Sequence, residues 1–137
     1  MLTFQIRNTD MARYLAITTF SVMMTLSMST FAKAQSDNSL ICQATIAAIF
    51  NKSIDEVKIQ SEKSEITHVT YVRLSDASVW ANKCKISGNR VIWATENGRW
   101  RDSDFDEIVT YEKINSEIKI RQAFSDGSSV EDSFYAE

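Results

Sequence analysis

Residues 11–34 restrict how much of this 137-residue chain can form a folded domain. Arg13 is followed by an apolar run from Tyr14 to Phe31, and the segment ends with Ala32-Lys33-Ala34. A basic start, an apolar middle and small residues before the end are typical of a secretory signal peptide with an A-x-A cleavage site. We therefore expect the chain to be exported and cleaved after Ala34.

The predicted signal peptide spans residues 1–34, with Met11 as an alternative start of translation because a complete leader begins there. The apolar run contains seven serine and threonine residues. It is also shorter than the stretch of about 20 strongly apolar residues that a transmembrane helix needs. Cleavage is therefore favoured over anchoring, and we expect no membrane attachment after the leader is removed. The predicted location is the periplasm or the extracellular space.

Removal of the leader leaves residues 35–137, which are enough for a single domain with one core. These residues carry 12 basic and 17 acidic side chains, a net charge of −5. Nucleic-acid-binding proteins present a basic patch or stripe, so the acidic balance argues against a nucleic-acid partner.

Cys42 and Cys84 are the two cysteines of the chain. In an oxidising compartment, two cysteines in a small domain predict one disulfide. Closing a loop of this length contributes roughly 4 kcal/mol in the chain-entropy model. One histidine and no third thiol make a metal site a poor alternative. We therefore expect a Cys42–Cys84 disulfide and no metal or other cofactor.

The segment from Leu40 to Phe50 has the apolar period of a helix. Its stripe lies at positions i, i+4, i+7 and i+8, and consists of Cys42, Ile46, Ile49 and Phe50. Asp37, Asn38 and Ser39 precede it and are N-cap candidates. The pattern therefore predicts a short amphipathic helix whose inward face includes the first cysteine.

The remainder alternates between apolar and polar residues, which predicts β-strands. The predicted strands are a weak one at 54–59, followed by 66–74, 79–86, 90–95, 107–114, 117–124 and 130–135. Turn pairs separate several of them: Gly88-Asn89, Asn97-Gly98, Asn115-Ser116 and Asp126-Gly127. Such pairs supply the positive φ angles that tight hairpins require.

These elements predict an α+β domain in residues 35–137. An apolar helix stripe and an apolar sheet face must cover each other. We expect an N-terminal helix packed on a five- to seven-stranded antiparallel meander sheet, with the disulfide joining helix and sheet. In this arrangement Cys84 faces the helix, and Trp80 and Ile86 lie in the core on the same side of their strand.

Basic and aromatic residues cluster around the Asn97-Gly98 turn and are the predicted binding residues: Arg90, Trp93, Arg99, Trp100 and Arg101. Arginine and tryptophan are over-represented where proteins bind one another, and an aromatic ring beside a guanidinium can also bind a sugar or an anion. The alternative is that the two tryptophans are core residues and that the arginines are solvated or paired with carboxylates.

The sequence predicts no catalytic residue. His68 is the single histidine, and the chain has no G-x-S-x-G motif to present a nucleophilic serine. The acidic run from Asp102 to Glu107 begins like a calcium loop but lacks the glycine and glutamate that the EF-hand pattern requires at positions six and twelve. A hydrolase that uses carboxylates from this run remains an alternative, because such pairs are defined by geometry alone.

The arrangement of motifs resembles small exported, single-disulfide proteobacterial proteins of uncharacterised function. The motifs that carry the resemblance are Cys42, Tyr71-Val72-Arg73, Trp80, Cys84-Lys85, Gly88-Asn89-Arg90-Val91-Ile92-Trp93, Gly98-Arg99-Trp100-Arg101 and Phe124-Ser125-Asp126-Gly127. The resemblance implies a periplasmic or secreted single domain and carries over no catalytic residue.

These observations favour an exported, non-enzymatic interaction domain that contacts a protein or a cell-wall component of the envelope. A binder of small ligands or sugars is the main alternative, and a small periplasmic carboxylate-dependent hydrolase is the third. The sequence leaves the identity of the partner and the oligomeric state open.

Overall fold

The computed structural model describes residues 35–136, so the predicted signal peptide lies outside the described residues. These residues form helix α1 (Asp37–Ile49), a short 3₁₀ helix (Ile54–Glu56) and seven strands. The strands are β1 (Lys58–Lys63), β2 (Ile66–Arg73), β3 (Ser78–Ser87), β4 (Arg90–Thr95), β5 (Ile108–Ile114), β6 (Glu117–Ala123) and β7 (Ser129–Tyr135).

The seven strands form one antiparallel sheet in the order β1-β2-β3-β4-β5-β6-β7, so the predicted meander is confirmed. The turns at Gly88, Asn115 and Gly127 have positive φ angles, as the sequence predicts. Gly98 does not, and the predicted Asn97-Gly98 hairpin is wrong. A chain segment of 12 residues (96–107) follows β4 instead, and a Cβ at Gly98 would lie 2.2 Å from the Thr95 Oγ1.

Helix α1 begins before the predicted stripe. The Ser36 side chain caps it by accepting a hydrogen bond from the Ser39 backbone N–H, so the predicted caps at residues 37–39 are inside the helix. The helix is the first element of the described residues and not the N-terminus of the chain.

Helix α1 is buried more completely than an amphipathic surface helix, because the sheet packs against several of its sides. It contacts β1, β2, β3 and β6. Ile41 and Ala44 are buried although they lie outside the predicted stripe, while Ile49 and Phe50 at its end are only partly buried. A helix that is apolar around most of its circumference is typical of such an environment.

The predicted disulfide is confirmed: Cys42 in α1 is bonded to Cys84 in β3, and both residues are buried. It lies in a single core between the helix and one face of the sheet. Val69, Val91, Ile118 and Ile120 are the central sheet residues of this core. We call this face the inner face and the opposite one the outer face.

Two details of the strands differ from the prediction. Residues 54–56 are predicted to begin a strand but form a 3₁₀ helix. A capping box between Ser53 and Glu56 stabilises its N-terminal end. Trp80 shares the inner face with Cys84 but is 36 % exposed, because the helix ends before it covers this part of β3. In residues 35–136, no helix is both long and apolar enough to cross a membrane.

Candidate functional site

The predicted Arg/Trp cluster lies where β4 and β5 separate. These two strands share only the pairs Arg90–Thr110 and Val91–Val109. Beyond Val91, the segment 96–107 leaves the sheet and returns alongside β4, where the Arg101 backbone N–H donates to the Trp93 carbonyl at 2.9 Å. Arg99-Trp100-Arg101 therefore occupies the position that β5 would take if the pairing continued.

Trp93 is a core residue. Its ring packs edge-on against Phe50, with the ring centroids 5.6 Å apart. The indole N–H, which needs an acceptor when buried, donates to Glu107 at 2.9 Å. The Arg101 guanidinium lies 4.6 Å from the centroid of the Trp93 ring. Trp93 therefore agrees with the alternative prediction that the tryptophans of the cluster are core residues and not binding residues.

The guanidinium of Arg99 is paired with a buried carboxylate. It donates two hydrogen bonds of 2.7 Å to Asp106, whose side chain is 4 % exposed. The backbone N–H and the hydroxyl of Ser103 donate to the same carboxylate. The hydrogen bonds from Arg99, followed by those from Ser103, hold the pKa of Asp106 well below its usual range. The Arg99–Asp106 pair therefore joins the beginning and the end of the segment 96–107 and fixes its path.

Trp100 lies on the outer face and is half-buried. The Lys83 and Lys85 ammonium groups are 5.0 and 4.5 Å from the centroid of its ring. Arg90 is at the other end of β4 from this segment, and its buried Nε–H has no acceptor among the described residues. The structure thus brings Trp93, Arg99 and Arg101 together around Asp106 and Glu107, and places Trp100 and Arg90 on the outer face.

The acidic run and the histidine take part in structural contacts. Asp106 and Glu107 hold Arg99 and Trp93 respectively, and His68 is 3.0 Å from a carboxylate oxygen of Glu96. Among residues 35–136, no group of three or more His, Cys, Asp or Glu side chains is placed to hold a metal ion. This geometry gives the carboxylate-dependent hydrolase no specific support.

The outer face carries a concentration of cations that the sequence analysis missed. The register of the strands places seven basic residues on the outer face: Lys58, Lys63, Lys83, Lys85, Arg90, Lys119 and Arg121. In the described part of the chain, none of these seven forms an ion pair, whereas each of the other five basic residues does. Their alternating positions within the strands were the signal available in the sequence.

The carboxylates on this face are fewer and lie toward one side. Glu112, Glu117 and Glu131 belong to β5, β6 and β7. Glu112 and Glu131 are directly opposite Lys119 and Arg121 across the strands, but neither comes within ion-pair distance. Among the described residues, no outer-face position within strands β1–β4 carries a carboxylate. Glu96, directly after β4, reaches this face and is held there by His68.

Four of the ten large apolar side chains that are exposed in residues 35–136 lie at the tip of the β2–β3 hairpin. Val72 and Val79 face each other across the two strands and are 48 % and 68 % exposed. Leu74, in the turn between them, is 81 % exposed. Trp80 stacks on Tyr71 and beneath the Arg73 guanidinium on the other side of the hairpin. These residues form the apolar tip of the hairpin.

We compared the chain with protein-family models, with curated proteins and with solved structures. None of the three comparisons found a match.

Proposed function

We propose that this protein is an exported, non-enzymatic binding domain that contacts a component of the cell envelope through the outer face of its sheet. The observation that supports this proposal is the collection of unpaired basic side chains on one face of an acidic molecule. Residues 35–137 have a net charge of −5. Within residues 35–136, the seven lysine and arginine residues that form no ion pair nevertheless all lie on the outer face. Such a face attracts an anionic partner even when the whole molecule is acidic.

The disulfide supports export. Disulfides persist in oxidising compartments and are rare in the cytoplasm, and Cys42–Cys84 is buried at the centre of the core. The predicted leader at residues 1–34 independently supports the same location. The predicted binding cluster contributes Arg90 and Trp100 to the proposed surface, whereas Arg99 and Arg101 are paired with carboxylates.

The test is sedimentation of the protein with isolated envelopes. The full chain is expressed in export-competent bacteria, and its intact mass reports cleavage after Ala34 and the two hydrogens lost in the disulfide. We expect the protein to sediment with envelopes at low salt and to be released at about 1 M salt, where interactions between exposed charges more than about 3 Å apart are largely screened. Lys83→Gln/Lys85→Gln is expected to weaken this association.

The matched control removes two cations from the helix side of the molecule. Lys52→Gln/Lys113→Gln changes the net charge by the same amount, but these lysines pair with Glu56 and Asp37. Thermal unfolding of both variants verifies that they are folded. If the two variants sediment alike, net charge alone is responsible and the outer face is not the binding surface.

A cleft beside Trp80 supports the sugar-binding alternative. It is a shallow depression, largely open to solvent, and is lined by Val79, Trp80, Ala81, Thr95, Glu96 and Asn97. An exposed tryptophan next to polar side chains suits a sugar ring. Titration of tryptophan fluorescence with soluble envelope sugars tests this alternative. A saturable change that Trp80→Ala abolishes would support it.

A further inference from the structure

The outward row of β3 changes from apolar to cationic along its length. Val79, Ala81, Lys83 and Lys85 occupy alternate positions and therefore share the outer face. Val79 and Lys83 are separated by about 14 Å at the usual rise of a strand. The same surface thus presents exposed aliphatic groups at the hairpin tip and ammonium groups further along.

The two charged residues at the hairpin tip pair with each other. Arg73 and Asp76, which flank Leu74, form a two-point ion pair with each other, and the hydrogen bonds from Arg73 keep the pKa of Asp76 below its usual range. The exposed Trp80 nearby donates its indole N–H to the Ser78 hydroxyl. Tryptophan is enriched at the boundary between lipid headgroups and hydrocarbon, where an apolar ring with a polar edge is favoured.

Arg90 adds an observation at the other end of the cationic region. Its Nε–H is buried without an acceptor in the described residues, which is unfavourable for a charged group. Thr110 lies directly opposite Arg90, and Arg121 lies opposite Thr110 on the next strand. The terminal nitrogens of the Arg90 guanidinium are not among the buried atoms without a partner in the described residues, and a phosphate oxygen above this row would accept hydrogen bonds from them rather than from Nε.

The cations of the outer face alone would bind any polyanion. The apolar tip of the hairpin narrows the class of partner, because only some polyanions also offer an apolar region to bury it in. An anionic glycan or a nucleic acid is bound through charge and aromatic stacking, and neither gains from burying Val72, Leu74 and Val79. A phospholipid surface uses both parts, because its headgroups bind lysine and arginine while its acyl chains accept aliphatic groups.

We infer that the envelope component is an anionic phospholipid surface, with the cations of the outer face at its headgroups and the tip of the β2–β3 hairpin inserted below them. This inference rests on the proposed function and specifies the partner of the same surface. The attachment is peripheral and reversible, and it differs from the sequence prediction that the protein makes no membrane contact after leader cleavage.

Vesicle sedimentation tests the inference. The protein recovered from export-competent cells expressing the full chain is mixed with vesicles of phosphatidylcholine alone or of phosphatidylcholine and phosphatidylglycerol in equal proportion. We expect binding only to the anionic vesicles. Lys83→Gln/Lys85→Gln should weaken it about 25-fold, as the contribution of each basic residue near an anionic surface implies. All variants retain the same residues 1–34 or lose them alike, so this segment does not affect the comparison.

Insertion of the tip is tested separately. Leu74→Ser/Val79→Ser is expected to weaken binding to anionic vesicles at least tenfold and to abolish the blue shift of tryptophan emission on binding. The matched control, Phe124→Ser/Val130→Ser, removes two exposed apolar groups at the β6–β7 hairpin, where Val130 is on the inner face, and should change neither. Equal effects of the two double variants would contradict insertion of the hairpin.

The outcomes separate this inference from the proposed function. Sedimentation with envelopes that depends on Lys83 and Lys85, combined with no binding to anionic vesicles, would overturn the lipid inference and identify a protein or glycan partner. Loss of both kinds of binding would overturn the proposed function as well. Binding to neutral vesicles as strongly as to anionic ones would remove the role of the cations.

Discussion

Among the described residues, Asn82 has the largest number of buried side-chain polar atoms without a hydrogen-bond partner. It lies on the inner face of β3, is fully buried, and neither its amide nitrogen nor its amide oxygen has a hydrogen-bond partner in residues 35–136. The buried hydroxyl of Thr45 in α1 is in the same situation. A buried polar group without a partner costs about 1–3 kcal/mol. Asn82 is therefore a position at which the present residue does not maximise stability.

We predict that Asn82→Val increases the free energy of unfolding by about 1 kcal/mol, because it removes the unsatisfied amide and favours a strand. Denaturant unfolding followed by tryptophan fluorescence measures this change. Asn82→Asp serves as the control, since it keeps the shape but buries a charge and should destabilise the domain. A loss of stability in Asn82→Val would show that the amide forms hydrogen bonds that the structure does not contain.

The Arg99–Asp106 pair predicts a pH-dependent contribution to stability. The folded-state pKa of Asp106 is below its unfolded value, so its stabilisation is complete above the usual carboxylate range of about 4. It is lost as the pH falls below that range toward the folded-state pKa. Asp106→Asn should therefore be less stable than the wild type at pH 7, and the difference should shrink on acidification. Thermal unfolding across this range measures it; a constant difference would contradict the ionic role.

At the residue scale, the faces of the two central tryptophans could not be predicted from the sequence. Trp93 is in a strand, where alternation limits it to two faces, but only the position of the helix decides which face is buried. Trp100 is in an irregular segment without periodicity, and its neighbours Lys83 and Lys85 come from a distant part of the chain. Such contacts depend on the path of the segment 96–107, for which the sequence has no short-range signal.

At the element scale, the hairpins were the most predictable feature. Short turns with Gly88, Asn115 and Gly127 fix neighbouring strands as antiparallel partners, which determines most of the strand order. The exception is the connection from β4 to β5, where Asn97-Gly98 resembles a hairpin turn. Thr95 and Gly98 do form a turn, but the chain then continues into the Arg99–Asp106 pair instead of a strand.

The disulfide connects the two elements that form the core. We predict that Cys42→Ala/Cys84→Ala lowers the free energy of unfolding by about 2–5 kcal/mol, because the unfolded chain is no longer constrained across this loop. Denaturant unfolding of the variant, compared with the wild type in the presence and absence of reductant, measures the effect. The reduced wild type should resemble the variant. Unchanged stability in both would show that packing alone holds α1 on the sheet.

At the scale of the whole molecule, composition concealed the charge distribution. A net charge of −5 argues against an anionic partner, yet the register of the strands collects the unpaired cations on one face. Acidic residues are located mainly in loops and at the ends of elements, as Asp76 and Asp126 are in their turns. The sequence therefore indicated the total charge and the fold class. Which face of the sheet carries the unpaired cations became known only from the register of the strands.

The helix also unites two parts of the sheet that share little pairing with each other. Strands β1–β4 and β5–β7 are joined by only two residue pairs, and α1 contacts both β3 and β6. We predict that Ile46→Ala, at a fully buried helix position, lowers stability by about 2–5 kcal/mol and lowers hydrogen-exchange protection equally in both parts. Ile108→Ala, at an exposed position, is the control and should change little. If β5–β7 kept their protection in Ile46→Ala, the two parts would unfold independently and the helix would stabilise only one of them.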